Sequence, residues 1–209
     1  MWEDVCLKRC DTGYPGSLEI ALGEDAPDFL WTRGPLSILD GPVVAVFCSR
    51  SCTGLAATRT HDVLQALRDA GIVIAGGFQS PLEQTCCELY RKSRLPIVVG
   101  LARHLPGSRV PALFSPFAES GRLLVISREN EKSHRVTRQS AFQRNVLLAA
   151  LADRLFIPHS VADSETSKFV EYVAGFGKEI YALRGGDVVK LVSGSGYKPS
   201  SIDALFNRK

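Results

Sequence analysis

The stretch Val43-Val44-Ala45-Val46-Phe47-Cys48-Ser49-Arg50 decides how the rest of the chain is read. A short, unbroken apolar run rich in β-branched residues is the pattern of a strand buried on both faces, and so of a parallel sheet covered by helices. Its end is abrupt. A basic side chain just past a buried strand is forced to the edge of the sheet where open α/β folds bind ligands.

Working outward, the same pattern recurs. After the strand Val43 to Cys48 the spacing of Leu55, Val63, Leu64 and Leu67 predicts a helix from about Leu55 to Asp69, closed by Gly71 as its cap. Ile72 to Ala75, Ile97 to Gly100, Leu123 to Ile126, Asp153 to Ile157 and Glu179 to Leu183 read as further strands. Between them a helix starts at Pro81 with Leu82, Cys86, Leu89 and Tyr90 as its buried stripe. A weaker helix between Val110 and Ser120 is interrupted by Pro116. Two more run from Ser140 to Leu151, with Phe142, Leu147 and Leu151 facing the sheet, and from Thr166 to Phe176. The fold expected is α/β: a Rossmann-like, doubly wound, mostly parallel sheet with helices on both faces. Residues 1–40 are expected as a lead-in packed on the core and 41–184 as the core itself. Residues 185–209 form a tail with one possible short helix and then a loop or extended end.

With 209 residues, 45% hydrophobic and 22% charged, the chain has the profile of one compact domain, able to bury roughly 70% of its unfolded surface without disulfides or a structural metal. No apolar run approaches the ~20 residues that span a bilayer, and the N-terminus does not read as a secretory signal; a cytoplasmic protein with reduced thiols is expected. The six cysteines lack C-x2-C pairs or a histidine cluster, so metal ligation is not expected, and small buried thiols are the plainer reading.

The net charge of +3 is unevenly spread. Residues 1–40 hold eight acids against three bases, whereas Arg122 to Asn145 holds six Lys/Arg and two acids. That basic segment suits an anionic partner, and the acidic first 40 residues could cover it.

The loops beyond the carboxyl ends of the strands carry the candidate chemistry. Ser49-Arg50-Ser51, Gly76-Gly77-Phe78-Gln79-Ser80, Ala102-Arg103-His104, Ser127-Arg128 and His159 to Thr166 are rich in hydroxyls, glycine and bases. Such loops suit phosphate: small residues let backbone N–H groups approach, hydroxyls donate, and arginine offers a two-pronged fork. Gly76-Gly77 serves equally as a tight strand-to-helix turn. Arg138 ends the basic segment, and Arg144 and Asn145 sit early in the helix that follows it, where an anion could also be met. No dinucleotide fingerprint, P-loop, nucleophile elbow or zinc-protease motif is present, the four histidines are scattered, and the sequence identifies no nearby group to activate Cys48. No catalytic residue and no cofactor is expected. Phe78 and Phe142 are the only aromatics placed for base stacking, and each suits the core.

Taken in order, the pieces resemble the DNA-processing protein A family, also called Smf. The resemblance starts at Tyr14-Pro15, passes through Ala26-Pro27, Leu30-Trp31 and Gly34, and reaches the strand and loop quoted at the outset. It goes on through Ala75-Gly76-Gly77-Phe78, the strand at Ile97, Glu119 to Leu124 and Arg144-Asn145, and ends at Ser164 to Thr166 and Gly177 to Ala182, covering roughly residues 14–197. It implies a Rossmann-like core that binds single-stranded DNA without being an enzyme, forms a homodimer and hands DNA to a RecA-like recombinase. It places Ser49 and Arg50 on the family's G-S-R loop, Gly76, Gly77 and Gln79 with Ser80 on its S-G-x-A-x-G-I-D loop, Arg144 and Asn145 on its R-N pair, and Ser164 and Thr166 on its last phosphate loop. Cys48 replaces a loop glycine, Gln79-Ser80-Pro81-Leu82 replaces R-G-I-D, and Val146 stands where a further arginine is usual. The length implies a core-only member. The other reading is a small-nucleotide sensor or an enzyme related to the lysine-decarboxylase-like phosphoribohydrolases, although Ser164-Glu165-Thr166 and Glu171 lack that group's glycine pair.

Overall fold

The computed structural model describes residues 2–49, 54–160, 164–192 and 196–206. Along the chain run β1 (Asp4–Lys8), α1 (Gly16–Leu22), β2 (Phe29–Arg33), β3 (Val43–Val46), α2 (Gly54–Asp69), β4 (Val73–Gly76), α3 (Pro81–Arg91) and β5 (Ile97–Gly100). They are followed by α4 (Ser115–Glu119), β6 (Leu123–Ser127), α5 (Arg138–Leu151), β7 (Arg154–Ile157), α6 (Glu165–Val173), β8 (Glu179–Arg184), β9 (Asp187–Val192) and β10 (Gly196–Pro199). All the strands join one sheet in the order β1-β2-β6-β5-β4-β3-β7-β8-β9-β10. The run from β6 to β8 is parallel, and an antiparallel pair flanks it on each side. This is the α/β fold expected.

Of the parallel strands, β3 to β7 are short and entirely buried, and their side chains alternate between two cores. Ala45, Ala75, Val98, Leu124 and Leu155 pack with α1, α5 and α6 on one face. Val44, Ile74, Val99, Val125 and Phe156 pack with α2, α3 and α4 on the other. The chain leaves β3 toward β4 and returns on its opposite side through β7, so the carboxyl ends of β3 and β7 flank the switch point at which open sheets form a crevice.

The flanks differ from the expectation. Residues 1–40 supply β1 and β2, which lengthen the sheet rather than merely covering it, and deleting residues 1–12 would remove a strand. Tyr14 hydroxyl donates to the Pro27 carbonyl at 2.7 Å, and Arg33 grips both carboxylate oxygens of Asp4. Gly34 closes the turn after β2: at φ +109° it sits so close to β6 that a Cβ would lie 2.0 Å from the Leu123 carbonyl oxygen. After Gly185 the short helix expected first is instead strand β9, the stretch expected as a loop or extended end supplies the antiparallel strand β10, and a short 3-10 helix, Ile202–Leu205, follows it. Pro116 does not interrupt α4; it occupies the helix's first turn, where its missing N–H is no loss. Leu55 faces outward, 59% exposed.

Candidate nucleic-acid interface

The crevice is built from three loops. From β3, Ser49 hydroxyl donates to the His159 carbonyl and lies 3.1 Å from Thr166 Oγ1, stitching the first loop to the turn after β7 and to α6. Ser164 is committed to structure: its side chain caps α6 by accepting from Ser167 N–H. Arg50 lies outside the described residues.

The loop after β4 behaves differently from the phosphate cradle its sequence suggests. Glu83, buried at 7% exposure, accepts from Cys48 N–H at 2.9 Å on one oxygen and from Gln79 N–H at 2.7 Å and Ser80 N–H on the other. Ser80 returns the favour by accepting from Glu83 N–H, completing a capping box at the start of α3. The Gln79 and Ser80 amides just ahead of this helix are therefore held by the protein's own carboxyl group, and Glu83 N–H by Ser80 Oγ. Burial pushes the Glu83 carboxyl above its ordinary range, against the opposing pull of these amides and of the Arg144 charge. Gln79 turns its side-chain amide back to the Gly77 carbonyl.

Neither glycine of the pair has a positive φ; what constrains both is the side chain that lies against each. A Cβ on Gly76 would meet the ring of Phe78, the one described non-glycine residue at positive φ (+50°), whose side chain is fully buried against Phe114. A Cβ on Gly77 would lie 2.3 Å from Arg144 Cζ, and one on Gly100 would lie 2.8 Å from Arg144 Cγ. Arg144 thus leaves α5 and crosses the bare backbone at the ends of β5 and β4. It is 7% exposed, and Nε donates to Asn145 Oδ1 at 3.0 Å. Among the described residues its two terminal nitrogens have no acceptor, yet neither is sealed from solvent. Burial pulls its pKa below the usual value, while the nearby Glu83 charge works the other way. A desolvated guanidinium with an unused fork at the ligand edge of the sheet has the chemistry to hold an anion.

Residues of the connection from β6 to α5 and of the first turns of α5 line an open cleft of about 880 Å³. Arg128, Lys132, His134 and Arg135 line it, with Ser133, Thr137, Ser140 and Gln143 between them and Asp25 and Glu129 as its acids. Arg128 is braced by Gln143 Oε1 at 3.0 Å, and Arg138 stands exposed at the start of α5. From the acidic first 40 residues only Leu22 and Asp25 line this cleft. His104 supports the segment from below, stacking edge-on against Trp31 with Nδ1 3.2 Å from the Glu129 carbonyl.

Sequence reasoning missed two residues here. Glu83 was signalled by Ser80-x-x-Glu83, the capping-box spacing. Tyr172, 45% exposed, also lines the cleft, so Phe78 and Phe142 are not the only aromatics near it; Phe78 is core. Of the described cysteines, Cys86 and Cys87 are buried and their thiols pushed up by burial, whereas Cys6 and Cys10 are exposed. The described residues contain no cluster of three or more metal-ligating side chains and no helix long and apolar enough to cross a membrane.

Comparison with known proteins now adds to this geometry. Among solved structures, the chain is similar to DNA processing protein A (DprA) from Streptococcus pneumoniae, with a TM-score of 0.74 and 21% identity over 88% of this chain and 64% of that one. It is also similar to DNA processing protein A from Helicobacter pylori, a structure described for its single-stranded DNA binding mode, with a TM-score of 0.71 and 18% identity over 97% of this chain and 86% of that one. The chain therefore spans less than two thirds of the pneumococcal protein. Comparison with curated proteins found no match. At these identities the structural likeness establishes the fold, but the model of the DNA recombination-mediator protein A family matches residues 5–196, nearly the whole chain, and the protein belongs to that family.

Proposed function

We propose that this protein binds single-stranded DNA without acting as an enzyme, holding backbone phosphates on Arg144 and on the basic cleft of residues 128–138. The observation that carries the reading is the buried Arg144 fork, open at the carboxyl edge of the sheet, on the same helix whose Ser140 and Gln143 line a cleft with Arg128, Lys132 and Arg135. Ser49, Thr166 and Asn145 position this edge, and the Helicobacter pylori relative is described as a single-stranded DNA binder. Residues 41–184 would form the binding core, the chain would act as a homodimer, and a RecA-like recombinase would be its partner, as the family resemblance implies.

The test is fluorescence anisotropy of a labelled single-stranded oligonucleotide at several salt concentrations, with duplex and mononucleotides as competitors. With three to five phosphates neutralised, log K should fall against log salt with a slope of about −2 to −3.5. Absence of binding at low salt, or displacement by a mononucleotide at equal phosphate concentration, refutes the reading in favour of a small-nucleotide site. Sedimentation of the free protein tests the homodimer.

A further inference from the structure

Tyr172 stands apart from the other residues of the cleft. It projects from the exposed side of α6, and no described residue hydrogen-bonds its hydroxyl. The ring is nevertheless held on two sides. Phe142 meets it edge-to-face with centroids 5.5 Å apart, and Phe176 does so at 5.8 Å. Phe142 in turn contacts Phe169 at 6.1 Å, and Phe169 contacts Phe47, just beyond β3, at 4.6 Å. A row of rings thus runs from the core at the switch point to the wall of the basic cleft and ends in an aromatic group that water can reach.

An exposed tyrosine that serves only to cover a helix has no need of such support. Edge-to-face neighbours fix its ring plane before any ligand arrives, which removes much of the ordering cost of binding. The cations of the same cleft, Arg128, Lys132 and Arg135, lie where a polyanion's backbone would be drawn, and a fixed ring beside a cationic track is how single strands are held without regard to sequence. We propose that Tyr172 is a stacking platform for a nucleobase of the single strand whose phosphates the cleft holds. The proposal rests on the single-stranded DNA reading above and adds a base contact to it.

The experiment uses the full chain with a labelled oligothymidine and an abasic oligonucleotide of equal length, each titrated with the native protein, Tyr172→Ala and Tyr172→Phe. Tyr172→Ala should bind oligothymidine about tenfold more weakly, Tyr172→Phe within about twofold of native, and all three should bind the abasic strand alike, with the salt slope unchanged. Equal binding of oligothymidine by the native protein and Tyr172→Ala overturns the platform while leaving the DNA reading intact. So does an equal loss on the abasic strand, which would mark a packing role, or a loss in Tyr172→Phe as large as in Tyr172→Ala, which would mark a hydroxyl contact. Failure of the native protein to bind either strand removes the DNA reading and the platform with it.

Discussion

Replacing Gly77 with alanine separates the anion site from the fold. The new Cβ would lie 2.3 Å from Arg144 Cζ and 2.4 and 2.7 Å from its two terminal nitrogens, so the guanidinium has to leave. It can do so because these atoms are the far end of a flexible side chain and Gly77 has no left-handed φ to forbid a Cβ. The displaced arginine loses its bond to Asn145, about 1 kcal/mol, and regains hydration that burial had denied it. Stability should therefore change by less than about 1.5 kcal/mol. Binding should suffer more: a charge-assisted hydrogen bond contributes about 1.5–3 kcal/mol, so affinity for a single strand should drop roughly 10- to 150-fold. Gly100→Ala is the contrasting variant. Its Cβ would press on Arg144 Cγ at 2.8 Å and on Leu148 Cδ1 at 2.9 Å, in the body of α5, which must shift off the sheet at a cost of about 1–3 kcal/mol. Urea melts and anisotropy titrations of both variants decide the matter. A stably folded Gly77→Ala protein that binds as the native one does, or one that loses more than about 3 kcal/mol of stability, refutes this assignment of Arg144.

Other perturbations follow from the same contacts. Glu83→Ala strips the acceptor from three backbone amides and should lower stability by about 2–4 kcal/mol in a urea melt, since buried unsatisfied donors are expensive; a loss under about 0.5 kcal/mol would show that water replaces the carboxylate. Because the folded pKa of Glu83 is raised, its contribution is most favourable below the ordinary carboxyl pKa of 4.5 and declines as pH rises through the folded value, a slope that Glu83→Gln should abolish. Glu179 behaves in the opposite sense. Lys190 first, then Tyr181 and Arg154, hold its carboxyl down at about 2, so its stabilisation is full above pH 4.5 and is lost as pH falls toward 2; Glu179→Gln should flatten that acid limb of the urea midpoint.

How much of this was legible in the sequence depended on burial. The parallel strands Val43–Val46, Ile97–Gly100 and Leu123–Ser127 are buried throughout, so their composition alone announces them. The flanking strands have one wet face or edge, and their sequences blur accordingly: β1 buries only Leu7 among Asp4–Lys8, β9 places Lys190 amid valines, and β10 contains a proline. The site divides in the same way. Glu83 was readable, because Ser80 and Glu83 stand at capping-box spacing within one turn. Arg144 was readable as a basic residue on a helix but not as a buried one, since its burial depends on Gly77 and Gly100 from two other strands being bare at the points it crosses. Tyr172 needed α5 and α6 side by side before its neighbours could be known.

Glu83 also bears on what kind of anion this crevice can take. In an open α/β sheet, a single phosphate is usually gripped by the amides of a strand-to-helix loop, a rigid site that does not need the rest of the ligand. Here Cys48, Gln79 and Ser80 give those amides to a carboxyl group already in the chain, which fills the nest. Among the described residues, what is left for an anion is side-chain chemistry: one buried arginine fork and basic groups spaced along residues 128–138. A mononucleotide can reach few of these at once, whereas each further phosphate of a strand adds a contact and releases a counterion. By closing the phosphate nest after β4 and leaving the distributed contacts, the exchange favours a polymer over a small nucleotide.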